Sequence, residues 1–302
     1  MTHTVPDIFK DTALQRQFNE DGFVKLTLFG EDDIKQLHRI YTDYSPNPST
    51  DFFSSSHEND YALKTEVSNA LGKIIIPKLE TILTNFTCFG CAFLTKGNGP
   101  NSELYMHQDW SIVDETKFVA LNVWTPLQET NEENGTLELI KGSHHWNNAL
   151  RAPTLPFYYE EYQDQLKEKL TVVPVLPTEV IILNQATIHY SKPNKTNKVR
   201  VAITSGVKTK DAPMQFHYWN KEKPGEIEEF KMADDFLLSF QDFHNSIFKR
   251  PVMGESLGTK QFILPMATAN EIENLIGPVI VKNPAPVKGQ GFAQKLLAWM
   301  KA

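Results

Sequence analysis

The chain has 302 residues, 40% of them hydrophobic and 22% charged, which is ordinary for a globular protein and enough for one substantial core. Its formal charge of -7, from 37 acidic and 30 basic residues, gives no clustered cationic surface for a phosphate backbone and excludes nucleic acid as the expected partner. No apolar run approaches the roughly 20 residues that a membrane span requires.

The first ten residues carry no basic stretch followed by an apolar run, and only two cysteines occur, so a cytoplasmic, reducing location is expected. The apolar run 22–29 reads as an early strand. Residues 31–44 place Ile34, Leu37, Ile40, Tyr41 and Tyr44 on one helical face, and 61–83 do the same with Leu63, Val67, Leu71, Ile75 and Leu79. From Phe86 the pattern changes to short runs of strand formers at 86–95, 104–113, 117–126, 136–140, 179–183, 187–190 and 199–207. Turn residues such as Gly97, Asn98, Gly99 and Pro100 separate them. Cys88 and Cys91 share the first run, where residues three apart should face opposite ways, so they are expected to be ordinary strand residues. After Asp211 the pattern weakens to a strand at 214–219, a helix near 234–243 and short helices near 268–275 and 291–300.

Many short strands favour a closed double sheet. The expected fold is mainly β with flanking helices around a double-stranded β-helix (jelly roll, cupin-like) core. A single domain 1–302 is expected, with helical support and an early strand in 1–85, the core in 86–207 and a C-terminal decoration in 208–302.

The chemistry concentrates in Tyr105-Met106-His107-Gln108-Asp109-Trp110. On a strand His107 and Asp109 project together while Gln108 points away. A histidine and a carboxylate at this spacing need a third ligand, and His189, in a later strand-like segment, supplies it. Two histidines and one carboxylate on one face of a metal leave coordination positions open, the arrangement of non-heme iron(II) oxygenases. Arg200, opening the strand that follows, offers a planar fork suited to a carboxylate, and Ser191 adds a hydroxyl beside it. Tyr105 shares a face with His107 and is the expected substrate contact.

These residues resemble the phytanoyl-CoA dioxygenase family of Fe(II)/2-oxoglutarate-dependent oxygenases, over the chain up to Val207. Asp21-Gly22-Phe23-Val24 looks like the family's opening strand, His107-Gln108-Asp109 its proximal metal motif, and His189, Ser191 and Arg200 its distal half. Asn134-Gly135-Thr136-Leu137-Glu138 followed by Lys141-Gly142-Ser143-His144 is similar to a further family segment, with Lys141 standing where proline is usual. The resemblance implies that Fe(II) sits on His107, Asp109 and His189. It implies that Arg200 and Ser191 hold the distal carboxylate of 2-oxoglutarate, that Trp124 lines that pocket and that His144 is structural. It further implies that O2 is the second cosubstrate and that a small organic molecule is hydroxylated with release of succinate and carbon dioxide. Two other readings stay open on the residues alone. A zinc-dependent hydrolase would use the same three ligands, and a non-catalytic cupin-like protein would bind a metal or ligand without turnover.

Overall fold

A computed structural model of the chain describes residues 7–44 and 51–277. The helix expected at 291–300 lies outside these residues.

Helix α1 (Thr12–Asp21) starts at Asp11, whose carboxylate accepts from the amides of Ala13 and Leu14. It ends at Gly22, which lies at φ 79 and returns its amide to the carbonyl of Phe18. A side chain there would also collide, because a Cβ would lie 2.5 Å from His144 Nδ1 and 2.6 Å from Thr187 Oγ1. Strand β1 (Phe23–Thr27) follows, then α2 (Glu31–Tyr44), β2 (Phe52–Ser54) and the long α3 (Tyr61–Ile82). Both long helices run over the residues their apolar spacing predicts.

The remaining core strands are β3 (Phe86–Lys96), β4 (Leu104–His107), β5 (Ala120–Pro126), β6 (Glu138–Leu139), β7 (Thr171–Val172), β8 (Glu179–Asn184), β9 (His189–Ser191) and β10 (Arg200–Thr209), with the short helix α4 (Gln163–Lys167) between β6 and β7. Among the described residues they form a six-stranded antiparallel sheet in the order β1-β8-β5-β10-β3-β2 and a four-stranded one in the order β4-β9-β6-β7. This is the expected jelly roll. The larger sheet recruits β1 and β2 from the segment before residue 86.

Alternation along the strands assigns their two faces. Val180, Ile182, Val201 and Ile203 pack outward beneath Leu37 of α2 and Val67, Leu71, Ile75 and Leu79 of α3. Their neighbours Ile181, Leu183 and Ala202 turn inward and meet Leu137 and Leu139 from the smaller sheet. The helices thus cover one face of the large sheet, and the hollow between the sheets holds the chemistry.

Three expectations need correction. The strand expected at 104–113 stops at His107, because the amides of Asp109 and Ser111 leave the ladder for the carbonyls of Gln185 and Arg151. The helix expected near 234–243 is instead two short ones, α5 (Phe236–Ser239) and α6 (Phe243–Ser246), interrupted where Asp242 takes φ 47. Cys88 and Cys91 lie on the same face, with their sulfurs 3.8 Å apart. Opposite them β10 passes from Gly206 to Val207, while β3 passes from Gly90 to Cys88, so Phe89 is an extra residue that resets the alternation.

The C-terminal region contributes a third sheet, β11 (Met214–Trp219), β12 (Glu226–Met232) and β13 (Glu255–Gln261), and a final helix α7 (Ala269–Ile276). Only β11 and α7 are legible in the sequence pattern. No helix among the described residues is long and apolar enough to cross a membrane.

Candidate metal centre and cosubstrate pocket

Strands β4 and β9 pair antiparallel with His107 directly opposite His189. Their rings lie 4.1 Å apart, and Asp109, just past the end of β4, turns back toward both. Its Oδ1 is 3.7 Å from His107 Nε2 and 3.9 Å from His189 Nε2. Among the described residues these three form the group whose ligand atoms, all within 4.8 Å of one another, could hold a metal ion. Gln108 points away as expected, its amide buried and donating to the carbonyl of Ala186.

The ring orientations follow from the backbone. His107 Nδ1 lies 2.7 Å from the carbonyl of Tyr105, and His189 Nδ1 lies 2.9 Å from that of Thr187. A carbonyl can only accept, so each Nδ1 carries the proton and each Nε2 presents a lone pair toward Asp109. Burial, reinforced by the neighbouring His189, pushes His107 down to about 4, which keeps the imidazole neutral and able to ligate. Asp109 Oδ2 is met by Asn122 Nδ2 at 3.4 Å, and Asn122 Oδ1 in turn accepts from Thr204 Oγ1 at 2.5 Å. Arg151 fixes the backbone at Asp109 by donating Nε to its carbonyl at 2.7 Å, while its far end pairs with Glu115. None of Asn122, Thr204 and Arg151 is signalled by a motif.

The triad opens into a cavity of about 320 Å³ that also contains Tyr105, Trp124, Ser191 and Arg200. Arg200 is 2% exposed, yet its Nε and Nη1 have no hydrogen-bond partner among the described residues. Burial alone pushes the guanidinium down to about 9, still protonated at neutral pH. An uncompensated buried cation is costly and calls for an anion. Lys96, paired with Arg200 in register and also fully buried, sends its ammonium to the carbonyls of Ser191 and Lys192, away from the cavity. The Ser191 hydroxyl lines the cavity but donates to the carbonyl of Gly135 at 2.8 Å. His144 and His145 stand apart from the triad and both bond the carbonyl of Asn19 at the end of α1.

The donors fit iron(II): two neutral imidazoles and one carboxylate converge while leaving the cavity side open. The unpartnered guanidinium, with Trp124, Leu94, Leu137 and Leu183 around the same cavity, fits the distal carboxylate and methylenes of 2-oxoglutarate.

The phytanoyl-CoA dioxygenase (PhyH) family model matches residues 11–202. A curated relative, the phytanoyl-CoA dioxygenase domain-containing protein 1 homolog of Dictyostelium discoideum, is 24% identical over 123 residues, which are 38% of this chain and 44% of the relative. The match thus spans less than half the length of that relative. Among solved structures, AviO1 from Streptomyces viridochromogenes Tue57 superposes with a TM-score of 0.46 at 20% identity over 67% of this chain and 96% of its own. The non-heme alpha ketoglutarate dependent carbocyclase SnoK from nogalamycin biosynthesis gives 0.46 at 16% identity, covering 68% and 86%. HygX from Streptomyces hygroscopicus, with nickel and 2-oxoglutarate bound, gives 0.47 at 15% identity, covering 65% and 86%.

Proposed function

The chain belongs to the phytanoyl-CoA dioxygenase family, and on that premise we propose that it is an Fe(II)- and 2-oxoglutarate-dependent oxygenase that hydroxylates a C–H bond of a small organic molecule. The observation that carries this reading is the shared cavity. Two tautomer-fixed imidazoles and a carboxylate converge at one end, and a buried guanidinium without a partner waits in the same hollow.

His107, Asp109 and His189 hold the metal, and Arg200 takes the distal carboxylate of 2-oxoglutarate against Trp124. Bound together, iron(II), 2-oxoglutarate and O2 supply an oxidative decarboxylation that releases succinate and carbon dioxide and places the second oxygen atom in the substrate. The protein's own part is positional. The carbonyls of Tyr105 and Thr187 lock the two imidazoles, Asn122 steers the free oxygen of Asp109, and Arg151 anchors the backbone between them. Leu94, Leu137 and Leu183 make the cosubstrate end apolar, which excludes water and strengthens the Arg200–carboxylate pair. Tyr105 lines the cavity beside His107 and contacts the substrate. A zinc hydrolase would share the three ligands but gives no role to the unpartnered Arg200.

The test is an anaerobic titration of metal-free protein with Fe(II) and 2-oxoglutarate, followed by admission of air. Wild type should develop the weak visible band of the iron–2-oxoglutarate chelate and then release succinate, and Asp109→Ala should do neither. A wild-type protein that shows no band, or a band without succinate, would remove the oxygenase reading.

A further inference from the structure

A second pair of histidines, His57 and His244, lines the same cavity. His57 ends the short turn after β2, and His244 lies in α6, beyond the last residue of the family match. The His57 ring stacks on Phe243 at 4.2 Å and 16° and meets His244 nearly edge-on at 4.6 Å and 80°. Phe243 in turn lies parallel to Trp110, the neighbour of the ligand Asp109, with ring centres 6.3 Å apart. An aromatic row therefore leads from the metal centre to the two imidazoles.

The pair exists only because the C-terminal region is tied down on the start of α3. Asp242 donates its amide to Asn59 Oδ1, Tyr61 donates its hydroxyl to Asp235, and the buried ammonium of Lys64 donates to the carbonyl of Phe240. These anchors hold the two imidazoles in place, as a preorganised binding element requires. The two side chains nevertheless have open polar valences. Among the described residues His244 Nδ1 is buried without a hydrogen-bond partner, and the groups that act on His57 are the charges of His244 and Lys64, with no hydrogen bond among them. The wall of the same cavity also carries the apolar Leu155, Phe157, Ile247 and Leu264, beside Ser54 and Ser56 from the segment that bears His57.

We infer that His57 and His244 are the substrate-recognition pair of this cavity and that they select an uncharged, mainly apolar molecule carrying a hydroxyl or carbonyl group. This rests on the oxygenase reading for what happens to the molecule, but not for its binding. Burial, with His244 and Lys64 nearby, pushes His57 down to about 3, and burial also lowers His244. Both rings are neutral at working pH, so each offers one donor and one acceptor rather than a counter-charge. Among the described residues that line this cavity, a carboxylate or phosphate head would meet no free cation. Arg200 lies at the cosubstrate end, Arg151 is held by Glu115 and the carbonyls of Asp109 and Ala149, and Lys64 is spent on Phe240. A second hollow of about 210 Å³, bounded by Phe89, Ile112, Leu237 and Leu238, shares Trp110 and Phe243 with the first and offers room for an apolar tail.

The experiment uses three probes with one apolar body and different heads: 1-octanol, octanoate and octylammonium. Each is titrated by tryptophan fluorescence into the anaerobic Fe(II)–2-oxoglutarate complex of wild type, His57→Phe and His244→Phe, the chelate band serving as the control for folding. Wild type should bind octanol at least tenfold more tightly than either charged probe, and each variant should lose most of that preference while keeping the band. Equal binding of the three probes to wild type, no binding of octanol, or variants with undiminished preference would overturn the assignment. If the wild-type band itself fails to form, the oxygenase reading falls separately, and the same titration on metal-free protein still decides whether the histidine pair selects the uncharged head.

Discussion

The guanidinium carbon of Arg200 lies 5.5 Å from the centre of the Trp124 ring, a favourable contact for a buried cation whose Nε and Nη1 have no hydrogen-bond partner among the described residues. A cation over an aromatic face recovers only part of the lost hydration. Arg200 is thus a group whose burial opposes folding and favours an anion. Two effects of opposite sign follow for Arg200→Met. The cosubstrate-free protein should unfold at a higher temperature, because removing an uncompensated buried charge stabilises. Affinity for 2-oxoglutarate should fall by roughly 30- to 1,000-fold, about 2–4 kcal/mol for a lost charge-assisted pair. Thermal melts with and without 2-oxoglutarate measure both, and a variant that melts lower without cosubstrate would contradict this account.

Asn122 holds the free oxygen of Asp109 at 3.4 Å and is itself held by Thr204. Outer partners of this kind orient a ligand without touching the metal, and their loss typically weakens metal binding by about 10- to 100-fold. Asn122→Ala should show that decrease in a competition titration with Co(II), and Thr204→Val a smaller one in the same direction. Unchanged affinity in both would mean that Asp109 is positioned by its backbone bonds to Gln185 and Arg151 alone.

The convergence of His107, Asp109 and His189, and the placement of Arg200 in the same cavity, are legible because each residue sits in or beside a strand whose neighbours alternate strongly, so a short motif carries its own geometry. The support around them was not. Asn122 and Thr204 approach Asp109 only because β5 and β10 are adjacent in the sheet, which no local pattern records. Strand β13 is exposed at every position from Glu255 to Gln261 and so has no hydrophobic signature at all. His57 and His244 are far apart in sequence and belong to short turns without periodicity. Cys88 and Cys91 are strand residues as expected, but the expectation that they face opposite ways fails because a single bulged residue inverts the phase of the strand.

That bulge makes a packing prediction. A Cβ built on Gly206 would lie 2.1, 2.2 and 2.9 Å from atoms of the Phe89 ring, so the bulged phenylalanine lies directly over the glycine. Gly206→Ala should destabilise by about 1–3 kcal/mol through overpacking. Phe89→Leu in the same chain should recover part of the loss, since it removes the colliding ring atoms. Denaturant midpoints of both single variants and the double variant give the coupling, and strict additivity would show that the strain lies elsewhere.

The same thiol pair should react unequally. Cys88 is half-buried and Cys91 buried. The hydrogen bond from Cys91 lowers the Cys88 thiol below its ordinary value of 9.0, although burial opposes it, while the same bond, together with burial, holds Cys91 well above. Because the thiolate is the nucleophile, iodoacetamide at mildly alkaline pH should label Cys88 first, with Cys91 following only on unfolding. Peptide mapping by mass spectrometry checks the order, and equal labelling of the folded protein would refute it.

Lys96 makes the stability of the protein depend on pH. It is fully buried opposite Arg200, and burial first, then Arg200, hold its ammonium well below the ordinary 10.5. Below its folded-state pKa the lysine is charged in both states, and the folded state bears the penalty. As pH rises through that value toward 10.5, the folded protein releases the proton while the unfolded chain still holds it. Stability therefore rises with pH across this window. In Lys96→Met the contribution is absent, so the melting temperature of wild type relative to the variant should climb from neutral pH toward 10.5. The interval should be narrower in the Arg200→Met background, because one cause of the depressed pKa has gone. A wild-type minus variant difference that stays flat with pH would show that the carbonyls of Ser191 and Lys192 stabilise the ammonium enough to offset both its burial and its neighbour.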